Sequence, residues 1–225
     1  MSDTIDLVTI DGPSGVGKST IARLLADRLG YTYLDTGAMY RAIAYLCHEK
    51  GIAPGNVDAI EQLVNEVQLT VLPANDPESD VRILVNGRDI SDHLRTPEIG
   101  MLASEISKIP AVRRRLTQVQ QEIGAKGRIV AEGRDTGTVV FPHARWKFYL
   151  DADPRERARR RTKQLRSQGL AVDEREILDQ ILARDRQDQQ RTIAPLKPAQ
   201  DAIHIDSTEL TAQQVVERML SYIHT

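Results

Sequence analysis

Cysteine is nearly absent from this chain of 225 residues: Cys47 stands alone, which excludes an intramolecular disulfide and every multi-cysteine zinc or iron–sulfur site. Aromatic residues make up only 4%, so the core has to be assembled mainly from Leu, Ile, Val and Ala. No apolar run approaches the roughly 18–20 residues of a membrane-spanning helix. The opening MSDTIDLVTIDG has neither a basic stretch nor an apolar one, so no secretory signal is expected. An excess of positive charge is missing too. The net charge of −2 and a pI near 6.2 argue against a dedicated nucleic-acid or anionic-membrane binder. A cytoplasmic protein with no membrane, nucleic-acid or obligate protein partner is the simplest expectation. The five histidines show no metal-ligand spacing.

What is present is a 40% hydrophobic and 28% charged composition, that of a globular chain of one domain or one domain with an insertion. Lysine is scarce and arginine abundant. Ten arginines lie between Arg155 and Arg191, and a planar guanidinium suits bidentate phosphate contacts. Short apolar runs alternate with helical patterns. Strands are expected at Ile5–Ile10, Tyr31–Leu34, Arg128–Ala131, Trp146–Leu150 and Ala202–Ile205. Helices are expected at Ser19–Leu29, Ala38–His48, Ala59–Val67, Pro97–Ser107, Pro110–Ile123, Asp153–Gly169, Asp173–Gln190 and Ala212–Tyr222. That alternation defines an α/β fold, a mostly parallel sheet with helices on both faces. Leu69–Leu72 and Val81–Val85, with the turn pair Asn86-Gly87, predict a small antiparallel insertion over Leu69–Leu94. The stretch Ala74–Asp80 reads as a polar loop within it.

Gly12-Pro13-Ser14-Gly15-Val16-Gly17-Lys18-Ser19 satisfies G-x-x-x-x-G-K-[ST] at every fixed position, after an expected strand and before an expected helix. Such a loop turns backbone N–H groups inward around a β-phosphate, where the helix N-terminus adds positive potential. Lys18 can reach the β- and γ-phosphates, and the Ser19 hydroxyl can ligate Mg²⁺. No guanine-reading N-K-x-D stretch occurs. The nearest strand-ending acid that a translocase would use is Glu132 rather than Asp. Small-molecule phosphotransfer is therefore the favoured class, with a non-catalytic nucleotide sensor as the alternative.

Three arginine-plus-carboxylate clusters support transfer chemistry. Asp35-Thr36-Gly37-Ala38-Met39-Tyr40-Arg41 and Glu132-Gly133-Arg134-Asp135 each follow a strand, where α/β sheets bind ligands. Arg184, Asp188 and Arg191 share one helix face by their spacing of four and three. Taken together, GPSGVGKST, LDTGAMYR, EGRDTGTVVFP, RDRQDQQR and APLKPAQDA…IDST closely resemble the bacterial cytidylate kinase family, in order and in spacing, from about Ile5 to Tyr222.

The resemblance implies a P-loop nucleoside-monophosphate kinase fold. The core would span residues 1–68 and 95–225, with a LID around 154–172 and a mostly-β acceptor-binding insertion at 69–94. It implies ATP with Mg²⁺ as donor and CMP or dCMP as acceptor. Gly12 to Thr20 would hold the ATP phosphates, with Arg157 and Arg161 as LID arginines. Thr36, Arg41 and Arg134 would surround the acceptor phosphate, and Ser104, Arg113 and Asp135 would read the cytosine edge. Arg184 and Asp188 would contact the sugar. Lys18, Arg134, Arg184 and Arg191 would stabilise the transferring group. Many members of the family have Ser at Thr36 and Asp at Glu132, changes that keep an oxygen in place. Guanylate kinases share the phosphate loop, but LDTGAMYR and EGRDTGTVVFP set this chain apart from them.

Overall fold

The structure is a computed structural model that describes residues 6–73, 80–167 and 169–223. Five strands form the main sheet: β1 (Leu7–Asp11), β2 (Thr32–Asp35), β6 (Ile129–Gly133), β7 (Trp146–Asp151) and β8 (Ile203–Asp206). All pair in parallel in the order β2-β6-β1-β7-β8. β1 and β6 are buried at every residue, which requires cover on both faces and explains why each opens on consecutive apolar residues, Leu7-Val8 and Ile129-Val130-Ala131. Helices α1 (Lys18–Leu29), α2 (Thr36–Glu49), α3 (Val57–Glu66), α4 (Pro97–Ile106), α5 (Pro110–Gly124) and α8 (Ala212–Ile223) supply it. Phe148, Ile10, Leu25, Leu34 and Met39 are almost wholly buried between them. Cys47 is buried among them as well, and burial pushes its thiol up to about 11, consistent with a small packed hydrophobe.

The three-stranded antiparallel sheet β3 (Leu69–Leu72), β4 (Arg82–Val85) and β5 (Arg88–Asp89) follows α3. Its turn places Asn86 at φ 49 and Gly87 at φ 82, the left-handed pair that a two-residue hairpin requires. The loop expected at Ala74–Asp80 lies outside the described residues except for Asp80. Past the turn, β5 and a 3₁₀ turn at Ser91–His93 were not anticipated, because two polar residues carry no hydrophobic period.

Helices α6 (Pro154–Ser167) and α7 (Glu174–Gln189) form a hairpin with a separate small core of Ala158, Leu165, Ile177 and Ile181. One leucine and two isoleucines at roughly 1.5–3 kcal/mol each, with a single alanine methyl, hold this pair far less firmly than the main core is held. Element boundaries fall within one or two residues of the sequence expectation at most ends. The start of α2 moves from Ala38 to Thr36 because Asp35 is its N-cap, accepting from the Ala38 N–H at 2.9 Å. None of the described helices is long and apolar enough to cross a membrane.

Candidate active site

The carboxyl ends of β1, β2, β6 and β7 converge on one crevice, the position where an open parallel sheet binds its ligands. β1 delivers the chain into the phosphate loop at Gly12, where a Cβ would stand 2.0 Å from the Leu150 carbonyl oxygen. Only glycine lets the loop pass so close under β7. Gly17 caps α1 without any side-chain hydrogen bond, so the first N–H groups of the helix stay available to a ligand. The Lys18 ammonium donates to the Pro13 carbonyl at 2.7 Å. Burial, then Arg134, push Lys18 down to about 7, against the pull of Glu132. Burial, then Arg134, also lower Arg184, to about 10. A site whose cations depress one another in this way is built for a polyanion.

Near the end of β6 stands Glu132, whose carboxylate accepts from the Tyr33 hydroxyl at 2.7 Å and is hydrogen-bonded by the Ser19 hydroxyl. Burial, then Asp35, raise the Glu132 carboxyl, and Lys18 opposes them. The next residue, Gly133, is a second forced glycine: its Cβ would meet Thr36 Oγ1 at 2.6 Å and Thr136 Cγ2 at 2.7 Å. Thr36 itself donates to the Glu132 carbonyl at 2.7 Å and is buried, so it ties the start of α2 to β6 at the rim of the site.

Asp11 supplies the contact that shapes the segment after Gly133. It accepts from the Thr136 N–H at 2.9 Å, the Thr136 hydroxyl at 2.7 Å and the Gly137 N–H at 2.7 Å. These bonds anchor a π turn at Thr136–Val140 and so aim Arg134 and Asp135 across the crevice. Burial raises the Asp11 carboxyl while those three donors resist the shift.

The residues singled out from the sequence fall into three adjoining groups. Asp188 is fully buried and accepts from Arg134 Nε at 2.8 Å and from Arg191. Burial alone would raise its carboxyl; Arg134 and Arg191 outweigh that and hold it below the usual carboxylate range. Arg113 and Asp135 form a buried ion pair, with Arg113 Nη1 also donating to the Ser107 carbonyl at 3.1 Å and its guanidinium 5.5 Å from the Tyr40 ring centre. Arg41 pairs with Asp35 at 2.7 Å. Four buried donors among the residues expected at the site, Arg41 Nε, Arg184 Nε, Arg191 Nε and Ser104 Oγ, have no protein hydrogen-bond partner among the described residues. Unpartnered buried polar atoms are costly unless a ligand completes them.

Arg157 and Arg161, expected as LID arginines, take different surroundings on α6. Arg157 is buried and fixed: it donates to the Ser14 carbonyl at 3.0 Å, the Ala152 carbonyl at 3.0 Å and Asp185 at 2.6 Å. It buttresses the phosphate loop from behind and lines a cavity of about 550 Å³ beside Pro13, Pro154 and Thr208. Arg161 bonds Gln164 at 2.7 Å; burial lowers it, and the charges of Arg95 and then Arg41 lower it further. Asp185, which also accepts from the Ser14 N–H at 3.3 Å, and Arg95 escaped the sequence reading. Their partners are distant in the chain, and no spacing marks them. Arg114, next to Arg113, is exposed.

A phosphate loop between β1 and α1 of a parallel sheet, walled by convergent arginines, defines a P-loop phosphotransferase. The sequence profile that describes cytidylate kinases matches residues 8–225. A cytidylate kinase of Pseudomonas fluorescens is 45% identical over 223 residues, covering 99% of this chain and 97% of its own. One from Citrifermentans bemidjiense is 47% identical, covering 96% of this chain and 92% of its own. The chain belongs to the cytidylate kinase family. Among solved structures, an uncharacterised protein from Eubacterium ventriosum aligns over 97% of both chains with a TM-score of 0.54 and 13% identity, a likeness of fold alone.

Proposed function

We propose that the chain transfers the γ-phosphoryl group of ATP to CMP or dCMP, giving ADP and CDP or dCDP. The observation that carries this reading is the juxtaposition at Glu132–Asp135. The end of β6 sets Arg134 close enough to act on Lys18 of the phosphate loop and Asp135 against Arg113, so a cationic wall adjoins a buried ion pair that could read a base. The ATP phosphates would lie in Gly12–Thr20, and the 550 Å³ cavity along Arg157 offers room for the donor nucleoside. The CMP phosphate would replace carboxylates as the partner of Arg41 and Arg134, near Thr36. Ser104, Arg113 and Asp135 would face cytosine, and Arg184 and Asp188 the sugar.

An acceptor phosphate oxygen is already anionic near neutral pH, so no general base is required. It attacks the γ-phosphorus in line; that P–O bond forms as the bond to the β-phosphate oxygen breaks, and ADP leaves. Lys18, Arg134, Arg184 and Arg191 neutralise the charge spread over the transferred group. The Ser19 hydroxyl and the Glu132 carboxylate lie together at the loop, oxygen donors of the kind Mg²⁺ takes alongside nucleotide phosphates. When bound, the ion would supply charge neutralisation on the ATP phosphates. The insertion at 69–94 and the α6–α7 hairpin would close over the crevice and keep water from the γ-phosphate. A cytoplasmic setting, where both nucleotides are found, suits this chemistry. The test is ADP release from ATP on adding CMP, compared in wild type and Lys18→Ala. Loss of release with an unchanged melting temperature supports the reading; equal ADP release from the two proteins contradicts it.

A further inference from the structure

Two charged side chains of the α6–α7 hairpin hold the phosphate loop by its backbone. Asp185 of α7 and Arg157 of α6 meet at 2.6 Å, and both are buried. Between them they grip a single residue of the loop. Asp185 Oδ1 accepts from the Ser14 N–H at 3.3 Å, and Arg157 Nη1 donates to the Ser14 carbonyl at 3.0 Å. A further bond, from Arg157 Nε to the Ala152 carbonyl at 3.0 Å, fixes the guanidinium to the chain leaving β7. None of these contacts uses the Ser14 side chain.

Peptide planarity turns the grip into a setting of the loop. In a trans peptide the C=O and the following N–H point in opposite directions, and every described peptide here is trans. The unit joining Pro13 to Ser14 directs its carbonyl to the Lys18 ammonium at 2.7 Å and its N–H to Asp185. The unit joining Ser14 to Gly15 directs its carbonyl to Arg157, so the Gly15 N–H faces the opposite way. Gly15 itself has φ 75, and a Cβ there would lie 3.4 Å from Ile181 Cδ1 and 3.6 Å from Arg157 Cβ. The loop therefore rests on the hairpin at this point. N–H groups turned to one side next to a residue of positive φ form the concavity that takes a phosphate. We propose that Asp185, acting through Arg157 and the Ser14 backbone, is a positioning residue for the donor's phosphates. It sets the peptide planes of the loop before ATP arrives. Arg184 and Asp188 share α7 with it, so one helix holds both the donor loop and the groups assigned to the acceptor. The proposal rests on the reading of Gly12–Thr20 as the site of the ATP phosphates and deepens it.

Two probes test it in binding titrations without CMP: ATP, and inorganic tripolyphosphate, which carries the phosphates and no nucleoside. Asp185→Asn keeps the shape but removes the charge that holds Arg157 and one of the two acceptor oxygens. Both probes should bind about 10–100-fold more weakly and by the same factor, the weight of a charge-assisted hydrogen bond, while CMP alone changes by less than about three-fold. In steady state, KM for ATP should rise and kcat fall by less than about three-fold, as for contacts equal in ground and transition state. Arg157→Met should weaken both probes similarly, and the double variant no more than either single one, because the contacts act as a unit. The double variant also leaves no unpaired buried charge, so it carries the test where a single variant melts below the assay temperature. Loss of ATP affinity with tripolyphosphate binding unchanged would make the pair a wall of the nucleoside cavity and overturn the proposal. Unchanged ATP binding in the double variant, an equal loss of CMP binding, or a fall in kcat with KM unmoved overturns it too. If wild type binds neither probe, it is the donor reading that fails, whatever the variants do.

Discussion

Replacing Asp188 by Asn removes the one negative charge that sits, 1% exposed, between Arg134 and Arg191 and close to Arg184. The change is nearly isosteric, so it leaves packing in place and isolates the charge. Breaking a buried ion pair from one side costs roughly 3–5 kcal/mol, and the lower figure applies because the amide oxygen still accepts one hydrogen bond. For a chain of this length, about 3 kcal/mol corresponds to a fall in melting temperature of about 6–12 °C. The loss is conditional on what occupies the crevice. A polyanion in the crevice supplies the neutralisation that Asp188 provided, so saturating ATP should raise the melting temperature of Asp188→Asn by several degrees more than it raises that of wild type. Differential scanning calorimetry with and without ATP measures both quantities. A variant as stable as wild type without ligand, or one that gains no more from ATP, would refute the view that the crevice cations are unbalanced.

Lys18, held near 7 while free, must regain its proton when phosphates arrive. ATP binding at pH 8 should therefore take up close to one proton and at pH 6 almost none, which calorimetry in buffers of different ionisation enthalpy reads directly; no uptake at pH 8 removes the argument. Arg191→Ala should lower kcat by about 10²-fold or more with little change in KM for CMP, since a group serving the transferring phosphoryl acts in the transition state; a rise confined to KM would make it an acceptor-binding residue. Asp135→Ala should cut the preference for CMP over UMP. Its carboxylate can accept from the cytosine N4 amino group but faces the O4 of uracil, a mismatch of about 1–3 kcal/mol or roughly 5–150-fold in relative kcat/KM. An unchanged ratio would assign base reading elsewhere.

The parts of the molecule legible in the sequence are those whose causes are local. The phosphate loop announces itself because glycines at fixed spacing and a terminal Lys-Ser are needed within eight residues. The alternation of strand and helix follows from apolar periods that each segment carries alone. Arg113 was named through the family resemblance alone, and the fold buries it on α5 while its neighbour Arg114 is exposed. What stayed hidden depends on partners far away in the chain. The π turn after Asp135 exists because Asp11, 125 residues earlier, accepts from its backbone. Arg157 reads from sequence as one more LID arginine, yet it is bound to Ser14 across 143 positions and to Asp185 across 28. Arg95 and Asp80 are single charges in polar segments, and only the fold shows that they meet. Long-range charge pairing leaves no periodic trace, and so half of the site's architecture was invisible until the strands were in register.

The central claim is that the acceptor is a cytidine nucleotide. It is tested most directly by measuring kcat/KM of the wild-type protein, with ATP and Mg²⁺, for CMP, dCMP, UMP, dTMP, GMP and AMP side by side. The Arg113–Asp135 pair and Ser104 predict that CMP and dCMP lead the series, with UMP lower by at least the 5-fold minimum of a mismatched carboxylate and the purine nucleotides lower still. A purine nucleotide matching or exceeding CMP would contradict the account.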